Sequence, residues 1–233
     1  MLKLEKLNWD SDFFELRIAQ IKINNPNQLK VIDERKDLDL VYINSDSPID
    51  ISNNFSYTGT KVEFRKKLDQ PYQDIDFNIQ NINIPYFNKN QVELQKIAYT
   101  SGEYSRFFRD TRLDRSRFFQ LYDKWLENAI NKLHDNIFLV YIDNNTNCPK
   151  GILTGRIDNN SHKSKIGLFA VKNEYQGMGI GKALLLQFEK IAFNSNQIEI
   201  IIPTQHENVG ACKFYSKMNY LISKSEYIYH YWI

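Results

Sequence analysis

The chain has 233 residues, 42% of them hydrophobic and 14% aromatic, with a formal net charge of +2. That length suits one large domain or two small ones around a sizeable core, and the near-neutral charge gives no basis for a nucleic-acid-binding surface. The two cysteines, Cys148 and Cys212, have no metal or redox spacing and read as small packing residues. Met1 to Leu16 lacks the apolar stretch of a signal peptide, because Asp10, Asp12 and Glu15 interrupt it. No apolar run approaches the about 20 residues of a membrane span, so a cytoplasmic, reducing setting is expected.

In chain order, Ile18–Ile23, Leu38–Ile43 and Tyr57–Phe64 read as strands, with a short helix over Asn27–Arg35 between the first two. Gln70 to Asn90 is rich in Asn, Gln and Asp, carries Pro71 and Pro85, and reads as an irregular link with a weak strand over Ile75–Ile84. Val92–Tyr99 and Arg117–Leu133 follow helical spacing. Ile137–Ile142, Gly151–Ile157 and Lys165–Val171 follow as strands, then a helix over Lys182–Phe193, a continuous apolar strand over Ile198–Ile202 and a helix over Asn208–Met218. Tyr220–Ser223 and Glu226–Trp232 read as a closing hairpin. The shift in composition near residue 90 suggests a small α/β N-terminal lobe (1–90) before a second domain (91–233).

The segment Gln176-Gly177-Met178-Gly179-Ile180-Gly181-Lys182 joins a strand to a helix. Glycines there let backbone N–H groups converge, and the helix adds the positive end of its dipole, which together suit a phosphate. A dinucleotide fingerprint would need glycine at 182 or 184, where Lys182 and Leu184 stand. A P-loop would need Ser or Thr after Gly181-Lys182, and Ala183 follows. The remaining pattern, Gln-x-x-Gly-x-Gly, resembles the pyrophosphate loop of the GNAT acyl-CoA-dependent N-acyltransferases. A plain loop is the bland alternative.

A second pattern, Asn208-x-x-Ala211-x-x-Phe214-Tyr215, lies on the helix that follows the buried strand. Asn208 and Tyr215 are seven residues apart and share a face, while Ala211, Phe214 and Met218 share the neighbouring one. Tyr215 reads equally as a core aromatic on periodicity alone. In the GNAT arrangement that this resembles, the Asn contacts the pantetheine arm and the Tyr faces the thioester sulfur. Such chemistry needs a proton donor for a departing thiolate, and a phenol with a pKa near ~10 can serve one near ~8.5. The resemblance also implies a splayed strand whose backbone at Phe169, Ala170 and Val171 meets the acyl-pantetheine arm, and Met178, Lys182 and Ala211 beside the cofactor. Candidates for taking the amine proton are His206, Glu207, Glu103 and water. His206 equally reads as a helix start. His162 reads as a solvated turn, His134 as a helix end, and His230 alternates within the last strand.

Five arginines, at 106, 109, 112, 115 and 117, accompany Tyr104, Phe107, Phe108, Phe118, Phe119, Tyr122 and Trp125. The bland reading is a solvated linker; the functional one is a phosphate-binding edge near an acceptor pocket. Asn8-Trp9-Asp10-Ser11-Asp12-Phe13-Phe14, Ser105-Arg106-Phe107, Tyr122 to Ala129, Ile166-Gly167-Leu168 and Thr204-Gln205 together resemble dTDP-fucosamine acetyltransferases. The likeness runs along nearly the whole chain and is loosest over 25–90. Many GNATs have Gly-Phe where Asn219-Tyr220 stands, and Asn also tolerates a left-handed helix end.

The resemblance implies an α/β GNAT fold, a mixed sheet flanked by helices. It implies acyl-CoA as co-substrate, no metal, Tyr215 as general acid, and Ser105, Arg106, Phe107, Tyr122 and Trp125 facing a nucleotide-linked amino sugar of dTDP type. It also implies a process in cell-surface glycan or O-antigen synthesis and a homodimer. The alternatives are a GNAT acting on a peptide N-terminus, polyamine or antibiotic, and a non-catalytic acyl-CoA-binding regulatory module.

Overall fold

A computed structural model describes residues 4–29, 32, 35–50, 55–69, 78–132 and 137–233. The strands are β1 (Glu5–Lys6), β2 (Ile18–Lys22), β3 (Leu40–Ser45), β4 (Phe55–Lys67), β5 (Ile79–Asn81), β6 (Ile137–Ile142), β7 (Pro149–Arg156), β8 (Lys163–Val171), β9 (Glu199–Gln205) and β10 (Leu221–Trp232). The helices are α1 (Asn8–Phe14), α2 (Ile84–Ser101), α3 (Arg106–Arg109), α4 (Arg115–Ile130), α5 (Ile180–Asn194) and α6 (Val209–Lys217). All ten strands share one mixed sheet in the order β1-β2-β3-β10-β4-β9-β8-β7-β6-β5. Strands from both sides of residue 90 thus belong to the same sheet, with β10 seated between β3 and β4.

Alternation along the strands divides the core by face. Leu139, Leu153, Ile166, Ile200, Ile202, Val62 and Phe64 pack with α5 and Tyr215. Phe138, Val140, Ile142, Ile152 and Leu168 pack with α2 and α4. A third cluster joins β2 and β3 to Tyr229 and Tyr231 of β10. Glu189 of α5 is fully buried yet satisfied: it accepts from Lys66 Nζ at 2.9 Å and Tyr220 Oη at 2.8 Å.

The fold departs from the sequence expectations at identifiable points. α2 kinks at Asn90 (φ −115°, ψ 15°), so the helical run beyond it contains the helix expected over Val92–Tyr99, and an added segment starts at Ile84, where Asn83 caps by accepting from Tyr86 N at 3.1 Å and Pro85 occupies the first turn. Proline breaks a helix interior but suits its first turn. Residues 75–77 of the weak strand expected over Ile75–Ile84 lie outside the described residues; Ile79–Asn81 form the edge strand β5 and Ile84 begins α2. Residues 30, 31, 33 and 34 of the helix expected over Asn27–Arg35 are likewise outside, and a 3₁₀ turn spans Pro26–Leu29. His134 and the end of the helix expected at Leu133 also fall outside them.

The closing hairpin is instead one strand. β10 runs along β4 from Leu221 to Tyr231, with register shifts between Ile222 and Lys224 and between Ile228 and Tyr229; the first lies where the turn is expected. Ser223 is the extra residue of this bulge, and its hydroxyl donates to Glu63 O at 3.1 Å.

Candidate functional site

The sheet opens where β8 and β9 part. They pair in parallel only from Lys163 with Glu199 to Lys165 with Ile201, although β8 continues to Val171 and β9 to Gln205. A bulge in the β7–β8 ladder adds to the bend: the register shifts between Leu153 and Gly155, and Leu168 N donates to the Thr154 side chain, at 2.9 Å from Oγ1. A cavity of about 670 Å³ occupies the opening, with Ile166 to Phe169 along one edge and Ile202 to Gln205 along the other.

One side of this cavity is formed by α6. Asn208 caps that helix, accepting from Ala211 N at 3.1 Å through Oδ1, which leaves its amide N–H groups for another partner. Asn208, Ala211, Tyr215 and Phe169 all line the cavity. The Tyr215 ring packs against Phe64 at 5.4 Å, Phe214 at 5.5 Å and Phe169 at 6.2 Å between centroids. Burial pushes the Tyr215 phenol well above its ordinary value, so it is held as a proton-bearing O–H. Asn219 ends the helix with φ 65°, the left-handed conformation its side chain tolerates, and Tyr220 N closes onto Tyr215 O at 3.0 Å.

The glycine loop lies beyond the cavity lining, between β8 and α5. Gly177 and Gly179 have φ of 78° and 83°, and a Cβ on either would meet nothing within 4 Å. Glycine is therefore required by conformation on an open face. The Gln176 amide donates to Val171 O at 3.2 Å and Asn173 Oδ1 at 3.0 Å, which fastens the loop to the end of β8. α5 begins at Ile180 with no side-chain cap and no acid in its first turn, so its positive end is open. Ile180 itself is buried core, while Met178 and Lys182 are exposed. Ala170, Val171 and Gly181 connect this loop to the opened strand.

The opposite wall comes from α1, α3 and α4. Ser105, Arg106, Phe107, Tyr122 and Trp125 all line the cavity. Ser105 caps α3, accepting from Phe108 N at 3.3 Å. The Arg106 guanidinium lies 4.2 Å from the Tyr42 ring centroid, 4.7 Å from that of Phe107, and 3.9 Å from Asp10. Tyr122 and Trp125 pack with ring centroids 4.7 Å apart.

Of the five arginines read as a phosphate edge, Arg106 alone lines the cavity. Arg109 pairs with Glu207 at 3.6 Å, Arg112 with Asp110 at 3.6 Å and Arg117 with Glu15, while Arg115 covers the Phe108 ring at 3.7 Å.

His206 is exposed and is not among the residues that line the cavity. Glu207 is engaged, accepting from Tyr57 Oη at 2.5 Å and Thr60 N at 3.0 Å. Asp10 is the carboxylate of the lining. Burial raises its pKa against the opposing pull of Arg106. Sequence reasoning missed it as a functional group, although it stands within the quoted Asn8–Phe14 segment. It also missed three cations of the lining, Lys61, Arg156 and Lys165. Cys148 is exposed rather than packed, and His162, in a turn, faces Asn196 O at 3.2 Å.

His230 is fully buried behind Arg106, stacked on Tyr42 at 4.7 Å. Its Nδ1 lies 2.7 Å from Asp110 Oδ2, which also accepts from Trp232 Nε1 at 2.9 Å. Burial lowers the imidazole from 6.5 to about 4. Burial opposes ionisation of Asp110, but the hydrogen bonds from His230 and Trp232 hold it down to about 2. Both folded values lie below the unfolded ones, so the unfolded chain binds more protons on acidification. Stability is therefore expected to fall as pH drops from about 6.5 through about 4 and on toward about 2. Urea unfolding at pH 7 and pH 5 checks this, with His230→Gln expected to flatten the difference. An equal slope in that variant would remove His230 from the effect.

Among the described residues there is no group of three or more His, Cys, Asp or Glu able to hold a metal, and no helix long and apolar enough to cross a membrane.

The model of the acetyltransferase (GNAT) family matches residues 101–220, which is 120 of the 233 positions. The chain is 26% identical over 143 residues to the spore coat polysaccharide biosynthesis protein SpsD of Bacillus subtilis strain 168, covering 60% of this chain but only 46% of that protein. A functionally unknown conserved protein of Staphylococcus epidermidis ATCC 12228 superposes with a TM-score of 0.63 at 15% identity, over 92% of this chain and 84% of that one. A GCN5-related N-acetyltransferase of Sphaerobacter thermophilus gives 0.59 at 13% identity, over 98% and 75%. A paia N-acetyltransferase of Thermoplasma acidophilum, solved in complex with coenzyme A, gives 0.51 at 20% identity, over 68% and 100%. These structural likenesses establish a shared fold.

Proposed function

Because the chain belongs to the acetyltransferase (GNAT) family, we propose that it moves an acyl group from acyl-CoA to the 3- or 4-amine of a nucleotide-linked amino-dideoxyhexose, of dTDP type, in glycan synthesis. The observation that carries this reading is a single cavity with Asn208 and Tyr215 on one side of the opened sheet and Asp10, Arg106, Tyr122 and Trp125 on the other. Donor and acceptor would enter from opposite faces and meet at the opening.

In this reading the backbone N–H groups of Gln176 to Lys182 and the open end of α5 hold the CoA pyrophosphate. The pantetheine runs along Phe169, Ala170 and Val171 and beside Ala211, with the free amide of Asn208 as donor. The amine lone pair attacks the thioester carbonyl, and charge gathers on oxygen against backbone N–H groups left unpaired by the parting of β8 and β9. The tetrahedral intermediate collapses, the C–S bond breaks, and the thiolate takes the Tyr215 hydroxyl proton. The amine proton leaves through water held at Asp10, since His206 stands off the lining.

Four cations against one carboxylate in the lining disfavour a polyamine or aminoglycoside acceptor. The polysaccharide role in the name of the SpsD protein fits a sugar acceptor.

Arg106→Ala tests the acceptor half. It is expected to raise KM for the sugar nucleotide about tenfold or more while KM for acyl-CoA stays near the wild-type value. Equal changes in both constants would remove Arg106 from the acceptor site.

A further inference from the structure

Lys61 of β4 and Lys165 of β8 lie far apart in sequence yet line the same cavity. Their side of the sheet follows from alternation. Their neighbours Val62 and Ile166 pack with α5 and Tyr215. The lysines therefore face the other way, toward the wall that carries Arg106. Arg156, at the end of β7, is the direct cross-strand partner of Lys165 and lines the same floor.

The charges of this floor are poorly balanced. Arg156 reaches Asp158 at 3.7 Å. Neither lysine's ammonium has a hydrogen bond or ion pair among the described residues. Burial pushes the Lys61 ammonium below its ordinary value and repulsion from Lys165 adds to it, with Glu63 and Glu226 offsetting part. Lys61 is half-buried while Lys165 and Arg156 are exposed, so an anion has open access to this floor and would offset the repulsion between its like charges. Trp9 stands at the rim, 52% exposed and stacked flat on Phe13 at 5.1 Å, a surface on which a base or sugar ring can lie.

We propose that Lys61 and Lys165, with Arg156 beside them, form a diphosphate-binding floor for the acyl acceptor, separate from the glycine loop. The proposal rests on the acceptor reading given above and names the part of the acceptor that is gripped. Phosphate could also come from CoA, whose own diphosphate is assigned to the loop at the start of α5, on the other face of the sheet.

The test is calorimetric titration of dTDP, inorganic pyrophosphate and CoA into the wild type, Lys61→Met, Lys165→Met and the double variant. Thermal melting confirms that each variant is folded, and the methionine keeps the length and apolar stem of lysine. Each single change is expected to weaken dTDP about tenfold and the double about a hundredfold, with pyrophosphate competing for the same site and CoA affinity unchanged. Unaltered dTDP binding in the double variant, or no binding of dTDP and pyrophosphate by the wild type, overturns the proposal. So does an equal loss of CoA affinity, which would assign the lysines to the donor. Turnover separates this from the wider reading. If sugar nucleotides are acylated with KM unaffected by the lysine changes, the floor is wrong and the function stands. If pyrophosphate binds through the lysines but no sugar nucleotide is acylated, the floor stands and the substrate class is wrong.

Discussion

Tyr215→Phe is expected to lower kcat about 10²- to 10⁴-fold, the usual range for loss of a positioned acid, with KM for acyl-CoA nearly unchanged. The change removes one oxygen from a ring held by Phe64, Phe169 and Phe214. The aromatic packing stays, so a purely structural role for Tyr215 predicts near-normal turnover. The proposed role also predicts a selective defect. Acyl donors with a leaving group that needs no proton should recover most of their rate, whereas thioesters should not. Stopped-flow and steady-state assays with a thioester and an activated ester measure both, and unchanged kcat on the thioester would refute the acid role.

Phe188→Ala is expected to cost about 3–5 kcal/mol, which is a large share of the about 5–15 kcal/mol that holds a typical domain together. Phe188 is fully buried in the core between α5 and the sheet. Its ring fills the space left by Gly155 on β7, where an added Cβ would fall 2.4 Å from Phe188 Cε2. A cavity there cannot be closed by a neighbouring side chain moving from β7, because glycine has none. For a chain of this size the melting temperature should fall by roughly 6–20 °C. The loss also bears on function, because α5 carries the glycine loop at its first turn and is seated on the sheet by this contact. Chemical unfolding measures the cost, and a loss below about 1 kcal/mol would mean that the site can collapse.

The residues proposed for the donor are local in sequence. Gln176 to Lys182 is one loop, and Asn208 and Tyr215 are two turns apart on one helix, so each group could be picked out by spacing. The left-handed end at Asn219 was likewise readable from its chemistry. The parting of β8 and β9 was implied by resemblance only, because strand pairing depends on a partner that periodicity does not name.

The residues proposed for the acceptor are assembled from distant parts. Asp10, Arg106 and Tyr122 come from three helices and Lys61, Arg156 and Lys165 from three strands, and they meet only through strand order and the packing of helices on the sheet. Isolated lysines on alternating strands look like ordinary solvated positions. The arginine run misleads in the other direction: its density suggests a phosphate edge, yet Arg109, Arg112 and Arg117 fasten this segment to the rest of the molecule through Glu207, Ser56 and Glu15. The closing strand was read as a hairpin because Ser223-Lys224-Ser225 is polar, whereas a one-residue bulge absorbs Ser223 and keeps β10 on β4. A bulge has no composition signal as strong as that of a turn.

Acyl transfer to a nucleotide-linked amino sugar is measured by mass detection of free CoA and acylated product when the wild-type chain meets acetyl-CoA and, in turn, dTDP- and UDP-linked amino sugars, peptides and polyamines. One CoA is expected to be released per acylated sugar nucleotide, with dTDP-linked 3- or 4-amino sugars preferred. Product on peptides or polyamines alone, or on no amine at all, would contradict it.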